Sequence, residues 1–378
     1  MPSHPLARCL AFGALCVVAA APARAQDASP KLDLHGYGSW SYGRTSDDNV
    51  YLGGANRGDY RLANFALNTT LTAGRHLRAD AQAECNTGDD AELVEIDFAF
   101  AEYKFSDQLR LRAGQVKQPF GIYTEVYDVG TLRPFLSLPQ GVYGPVGFAG
   151  EAYRGLGLTG RGSVGRGWTV DYDAYVGGQK LMKYHAPEAY YRGESLASAS
   201  DETESETTRD MVGARAVLTT PVDGLSVGAS AYTGTVADSV GHRRTVGGAQ
   251  IEYLHDRWTL RSELAHQVQV HDELATGGYI EAAYAFTTHW QGALLYDRLR
   301  NTFAGVNAAR APSLERHDEG VAGINYWLSP TKVVKLDVHR VSGNRLSTPD
   351  PERLAEVIES GQLRTHTTLV RFGAQFSF

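Results

Sequence analysis

Period-two alternation of apolar and polar residues runs through almost the whole chain, and no other feature restricts the fold as much. In the last ten residues, Val370, Phe372, Ala374, Phe376 and Phe378 share one face, and Arg371, Gly373, Gln375 and Ser377 share the other. That is a strand with one apolar and one wet face. Sixteen such segments follow one another, from 32–42 to 367–378. Leu77, Ala79, Ala81 and Ala83 oppose Arg78, Asp80, Gln82 and Glu84. Trp168, Val170, Tyr172, Ala174 and Val176 oppose Asp171 and Asp173. Each segment is about as long as a tilted strand needs to cross a bilayer. No apolar run reaches the 18 or so residues of a spanning helix.

The connections alternate in length. Short ones are 73–75, 105–108, 163–166, 220–223, 255–257, 287–288 and 328–331. Long ones are 43–59, 118–151, 178–209, 235–244, 270–277, 301–315 and 342–366, with the short 87–91 falling in the long series. Short turns at one rim and long loops at the other predict an all-β transmembrane antiparallel barrel of about 16 strands, with long extracellular loops and short periplasmic turns. In lipid such a sheet must close, because an edge strand would leave its N–H and C=O groups unpaired. A closed barrel of this size leaves an aqueous lumen, which accounts for a charged inner face. Aromatic residues near strand ends, among them Trp40, Tyr103, Trp258 and Trp290, suit interfacial girdles.

The N-terminus predicts export. Cys9–Ala21 is apolar, and Ala23-Arg24-Ala25 is an A-x-A cleavage site, so residues 1–25 read as a signal peptide and 26–378 as the barrel domain. Cleavage removes Cys9 and Cys16 and leaves Cys85 alone, so no internal disulfide is expected. A net charge of −7 argues against a nucleic-acid partner.

The block LRLRAGQVKQPFGIYTEVYDVGTLRPFLSLPQGVYG, residues 109–144, is the most distinctive. A strand ending in R-x-G-Q-x-K, then P-F-G, then an aromatic loop with R-P and L-P-Q, resembles the phosphate-selective porins of the O and P type. The resemblance implies an outer-membrane porin for passive diffusion of small hydrophilic solutes, including anions such as phosphate, assembled as a homotrimer. It also implies that the third long loop, 118–151, folds into the lumen. On that reading Lys117, Tyr123, Glu125, Tyr127, Asp128 and Arg133 line a constriction. Inward-facing Arg78, Arg110, Arg112, Asp171, Asp173, Arg215, Arg261, Lys335 and Arg371 are expected along the pore, where rings of Arg or Lys select anions and rings of Asp or Glu select cations. Inward acids outnumber inward bases in this reading, which opposes a dedicated phosphate pore. Phe376 and Phe378 resemble the signal read by the outer-membrane assembly machinery. Outer-membrane lipid and lipopolysaccharide are the other expected partners.

No cofactor, metal or catalytic residue is expected. Gly155–Gly160 fits G-x-G-x-x-G but lies inside a strand with no helix after it, so the dinucleotide reading fails. Its glycines are expected to make room for a loop at the inner wall. The acidic run 193–210 reads as a solvated loop. Two other classes stay open: a plugged structural or adhesive barrel, and an outer-membrane hydrolase using His266, His271 and nearby serines, for which no G-x-S-x-G elbow is present.

Overall fold

The computed structural model describes residues 29–87, 94–126, 129–145, 147–182, 205–237, 242–269, 273–303, 312–349 and 351–378. The expected signal peptide lies outside them. Sixteen strands form: β1 (Lys31–Thr45), β2 (Asp59–Ala73), β3 (Leu77–Asn86), β4 (Glu95–Lys104), β5 (Arg110–Lys117), β6 (Ala152–Gly165), β7 (Trp168–Met182) and β8 (Ser205–Thr219). They continue as β9 (Leu225–Val236), β10 (Arg243–His255), β11 (Trp258–Gln269), β12 (Glu273–Ala285), β13 (Trp290–Phe303), β14 (Arg316–Ser329), β15 (Lys332–Ser342) and β16 (His366–Ser377). Each pairs antiparallel with its sequence neighbour, and β1 pairs with β16 to close the barrel. None of the described helices is long and apolar enough to cross a membrane.

The burial pattern is that of a protein turned inside out. On β16, Val370, Phe372, Phe376 and Phe378 are exposed, whereas Leu369, Arg371 and Gln375 are buried. Leu254, Leu260, Leu264, Ile280, Leu294 and Leu336 continue the exposed apolar band around the wall. Lipid is the medium for which that face is built. Each unsatisfied peptide group there would cost several kcal/mol, so closure is obligatory.

The seam is built from glycines and phenyl rings. Gly36 N–H donates to Phe378 O at 3.1 Å and Phe378 N–H to Gly36 O at 2.9 Å. The Phe378 ring lies over Gly36 and stacks on Phe65, with centroids 6.3 Å apart. The Phe376 ring lies over Gly38, where a methyl group would sit 2.7 Å from its edge. Glycine on one strand and an aromatic ring on its neighbour is a cross-strand pairing that only a missing side chain permits.

Turn chemistry supports the two-rim reading. Arg166 and Gly167, between β6 and β7, both have positive φ, as a two-residue hairpin turn requires. Several boundaries differ from the sequence expectation. β12 begins at Glu273, so the sixth long loop shrinks to 270–272. β7 and β8 run on to Met182 and back to Ser205, so 205–209 of the expected long connection is strand. The rest of that loop lies outside the described residues. Polar side chains hid these extensions, because a strand beyond the bilayer no longer needs an apolar face. The loops also hold short helices, α1 (Gln140–Tyr143) and α2 (Pro351–Glu359).

The glycines of the G-x-G-x-x-G stretch do not make room for a loop. A side chain at Gly155 would strike the backbone of Val176 and Gly177 on β7, and one at Gly157 would strike the Tyr153 hydroxyl. They allow close approach of strand and ring.

Replacing Gly38 with Leu places a side chain against Phe376 at the seam. The expected outcome is a reduced fraction of folded barrel, read as loss of heat-modifiable migration in outer-membrane fractions; unchanged assembly would show that the ring–glycine pairing is dispensable.

Candidate functional site

The third loop crosses the lumen at once. Pro119-Phe120-Gly121 carries the chain from β5 to the wall of β9–β11. The buried Phe120 ring stands edge-on to Tyr232, centroids 6.2 Å apart, and lies against Gly248. Gly121 has φ +67°, and a side chain there would collide with the Glu263 carboxylate and the Tyr143 hydroxyl. Both the left-handed conformation and the space demand glycine.

Beyond this point, inward carboxylates and one lysine hold the loop to the wall of β11–β16. Glu263 accepts the Ile122 N–H at 2.7 Å and the hydroxyls of Tyr143 and Tyr279 at 2.5 and 2.7 Å. Glu281 accepts the Tyr123 hydroxyl at 2.7 Å, and Arg261 donates to the same oxygen at 2.7 Å. Asp297 accepts the Gly141 N–H at 2.9 Å, and Asp337 the Leu136 N–H at 2.6 Å. Lys335 donates to the carbonyls of Gly130, Arg133 and Phe135 at 2.8, 2.6 and 3.2 Å. Asn325 donates to Pro134 O at 2.8 Å. Charge-assisted bonds of this kind are about twice as strong as neutral ones. Burial holds the Tyr123 and Tyr143 hydroxyls well above their ordinary pKa, and the carboxylates of Glu281 and Glu263 push them further. Both therefore stay protonated and keep donating.

The return arm leaves β9 and comes back to β7. Phe148 O accepts the Tyr232 hydroxyl at 2.6 Å on β9, and Gly150 N–H reaches Gln118 and Gln179 at 3.1 and 3.2 Å. The inner wall of β9–β16 is thereby papered over, and the open face is that of β3–β8. There Arg78 bonds Asp80 at 2.6 Å, Arg112 bonds Glu102 at 2.8 Å and Arg161 bonds Asp171 at 2.6 Å. Arg78 and Arg161 keep 52% and 66% of their side chains exposed. Arg110, Thr159, Asp173 and Arg215 fall in one cross-strand row over β5–β8.

The expected site residues divide accordingly. Arg78, Arg110, Arg112, Asp171, Asp173 and Arg215 stand on the inner face of β3–β8. Arg133 is half-buried on the third loop, with its guanidinium 3.0 Å from Leu136 O. Lys117 does not present a free charge: it is buried, bonds Asp97 at 2.6 Å and sits over the Phe98 ring. Tyr123 is a wall anchor. Arg261, Lys335 and Arg371 point inward as expected but do not line open space. Arg261 is held by Glu252, Glu281 and Tyr123, Lys335 by the loop carbonyls, and buried Arg371 donates to Ser41 at 3.1 Å. Glu125 falls in a 3-10 turn, Thr124–Val126; its side chain, and Tyr127 and Asp128, lie outside the described residues. Sequence reasoning missed Arg161, although it follows Gly157 and Thr159 in period two. It also counted Glu263, Glu281, Asp297 and Asp337 as lumen charges.

A model of the family of phosphate-selective porins O and P matches residues 35–132, from β1 into the third loop. No curated protein matches the chain. Among solved structures, OmpF of Salmonella typhi in complex with daunomycin superposes with a TM-score of 0.59 at 16% identity, covering 92% of this chain and 97% of that one. An anion-selective porin from Comamonas acidovorans gives 0.58 at 11% identity, covering 93% and 100%. The trimer form of OmpT from Vibrio cholerae gives 0.54 at 10%, covering 93% and 100%. At these identities the likeness speaks for the fold. Family match and fold together point to the class of outer-membrane porins: residues 35–132 match the family, and the closed sixteen-stranded barrel is the fold of the porins compared. Within that class it resembles the phosphate-selective porins O and P.

Replacing Lys335 with Met leaves three buried loop carbonyls without their donor, at a cost of about 1–3 kcal/mol per unsatisfied group. The loop is expected to loosen and single-channel conductance to rise. Conductance and noise equal to the unaltered protein would show that Lys335 does not fix the constriction.

Proposed function

We propose that the channel passes small hydrophilic anions, with inorganic phosphate as the representative class, by passive diffusion past the third loop. One observation carries this reading. Glu263, Glu281, Asp297 and Asp337 do not face the solute, because they lie buried beneath the third loop or against its amides, and on the open face Asp80 and Glu102 are buried beside Arg78 and Arg112. The face left open on β3–β8 carries Arg78, Arg110, Arg112, Arg161 and Arg215 in three cross-strand rows, interleaved with Glu102, Asp173 and Asp171. Fixed guanidinium groups facing a narrow lumen favour anions through their field. The anion-selective Comamonas porin shares the fold, and the family match points the same way. Passage needs no catalytic group or cofactor, and the reading is therefore a channel and not a hydrolase. Homotrimeric assembly, contacts with lipid and lipopolysaccharide, and reading of Phe376 and Phe378 by the assembly machinery belong to the same proposal. The trimer form of OmpT supports the first of these.

A plugged barrel is the second reading. It is favoured by the burial of Tyr51 from the first loop and Arg345 and Leu346 from the last, in addition to the third loop. Planar-bilayer recording under a salt gradient separates them. The anion channel gives steady conductance with an anion-sided reversal potential and block by added phosphate. A cation-sided potential overturns the selectivity, and absence of conductance selects the plug. Arg112→Glu reverses one open-face charge and is expected to move the reversal potential toward cations; an unmoved potential would place the selective charges elsewhere.

A further inference from the structure

One buried cluster of polar groups lies inside the barrel wall where the first and third loops meet it. Asp297 on β13, His317 and Glu319 on β14 and His339 on β15 share the inner face, with Asp297 directly opposite Glu319 and Val321 opposite His339. All four are buried, and the buried Tyr51 of the first loop caps them. Most of their polar atoms are satisfied. Glu319 Oε1 and His339 Nδ1 are 2.7 Å apart, and Glu319 Oε2 accepts the Tyr51 hydroxyl at 2.7 Å. Asp297 Oδ2 accepts the Gly141 N–H.

Asp297 Oδ1, His317 Nδ1 and His339 Nε2 are buried and have no hydrogen-bond partner among the described residues, and the first of them faces His317 Nε2. His317 Nε2 stands 3.5 Å from Asp297 Oδ1, 3.5 Å from Glu319 Oε2 and 3.5 Å from the Tyr51 hydroxyl oxygen. Good N–H···O bonds lie near 2.9 Å, so none of these three is one. The spacing has a different meaning for a coordinated ion. Two ligand atoms about 2.1 Å from an ion and 3.5 Å apart subtend about 110°, the tetrahedral angle of zinc-type sites. The potential ligand atoms of Asp297, His317 and Glu319 all lie within 4.8 Å of one another.

We infer that Asp297, His317 and Glu319 form a binding site for one divalent transition ion of the zinc class. The imidazole nitrogen, with two carboxylate oxygens, favours such an ion over calcium or magnesium, whose ligands are oxygens alone. His339 and Tyr51 hold the Glu319 carboxylate from behind, as outer partners commonly do for metal ligands. The ion acts as a clasp. Through Glu319 and Tyr51 it holds the first loop, and through Asp297 and Gly141 it holds the return arm of the third.

The test uses the full mature chain, refolded from urea into detergent in the presence of chelator, then freed of it and titrated with Co2+ or Zn2+. The site predicts about one Co2+ per chain with the visible absorption bands of a tetrahedral ion, and a higher heat-unfolding midpoint with Zn2+. Asp297→Asn and His317→Gln are expected to abolish the bands, and Tyr51→Phe to retain them. Absence of bands in the unaltered protein, with a midpoint indifferent to Zn2+, overturns the site and leaves an imidazole between two carboxylates. Equal metal uptake by His317→Gln also overturns it, as adventitious binding only. The unaltered protein decides the question if a variant does not fold.

Discussion

The channel depends on a row of inward carboxylates whose partners are the backbone amides and phenols of a single loop. Glu263, Glu281, Asp297 and Asp337 sit on β11, β12, β13 and β15, in one half of the wall, and each takes a proton donor from residues 122–143. An ionised carboxylate buried without partners would be costly. Here the loop supplies the donors and the carboxylates fix the loop. Loop and wall are thus each the condition of the other's burial. Remove the row and the third loop keeps Lys335, Asn325 and Tyr232 as polar anchors, besides apolar side chains such as Phe120, Phe135 and Phe148, to hold it across the lumen.

This arrangement also decides which charges a solute meets. A count of inward residues treats every acid and base alike, whereas the structure sorts them by half. On β9–β16 the charges are internal fastenings. On β3–β8 arginines stay in reach of water, each of Arg78, Arg112 and Arg161 braced by a neighbouring acid. The acids there pair with the guanidinium groups and orient them.

The strands were readable because lipid imposes a strict rule on one face of each. Every one of the sixteen period-two segments corresponds to an observed strand, and the seam residues Phe376 and Phe378 stand where alternation put them. The rule lapses beyond the bilayer, which is why the early starts of β8 and β12 were hidden. Within the site, P-F-G signalled the sharp turn off β5, and inward direction was correct for Arg261, Lys335 and Arg371. Their role was not legible. Whether an inward lysine meets water or a loop carbonyl depends on where a thirty-residue loop comes to rest, and pairings such as Lys335 with Gly130 join residues 205 apart in the chain. Lys117 misled for the same reason: its partner Asp97 sits at a bulge in β4, where alternation shifts register.

The seam has a consequence for the order of events in the cell. β1 finds its second partner only in β16, and a bond such as Arg371 to Ser41 spans 330 residues. Until the final strand is in place the sheet has two free edges, each a template for pairing with another chain. Contacts of this separation also form slowly, because loop closure must precede them. The chain therefore has no protected partial state: its first strand must be kept from other partners until Phe378 arrives. Placing the aromatic clasp on the last strand of the sheet makes that strand the condition for closure, so a copy without it stays open-edged.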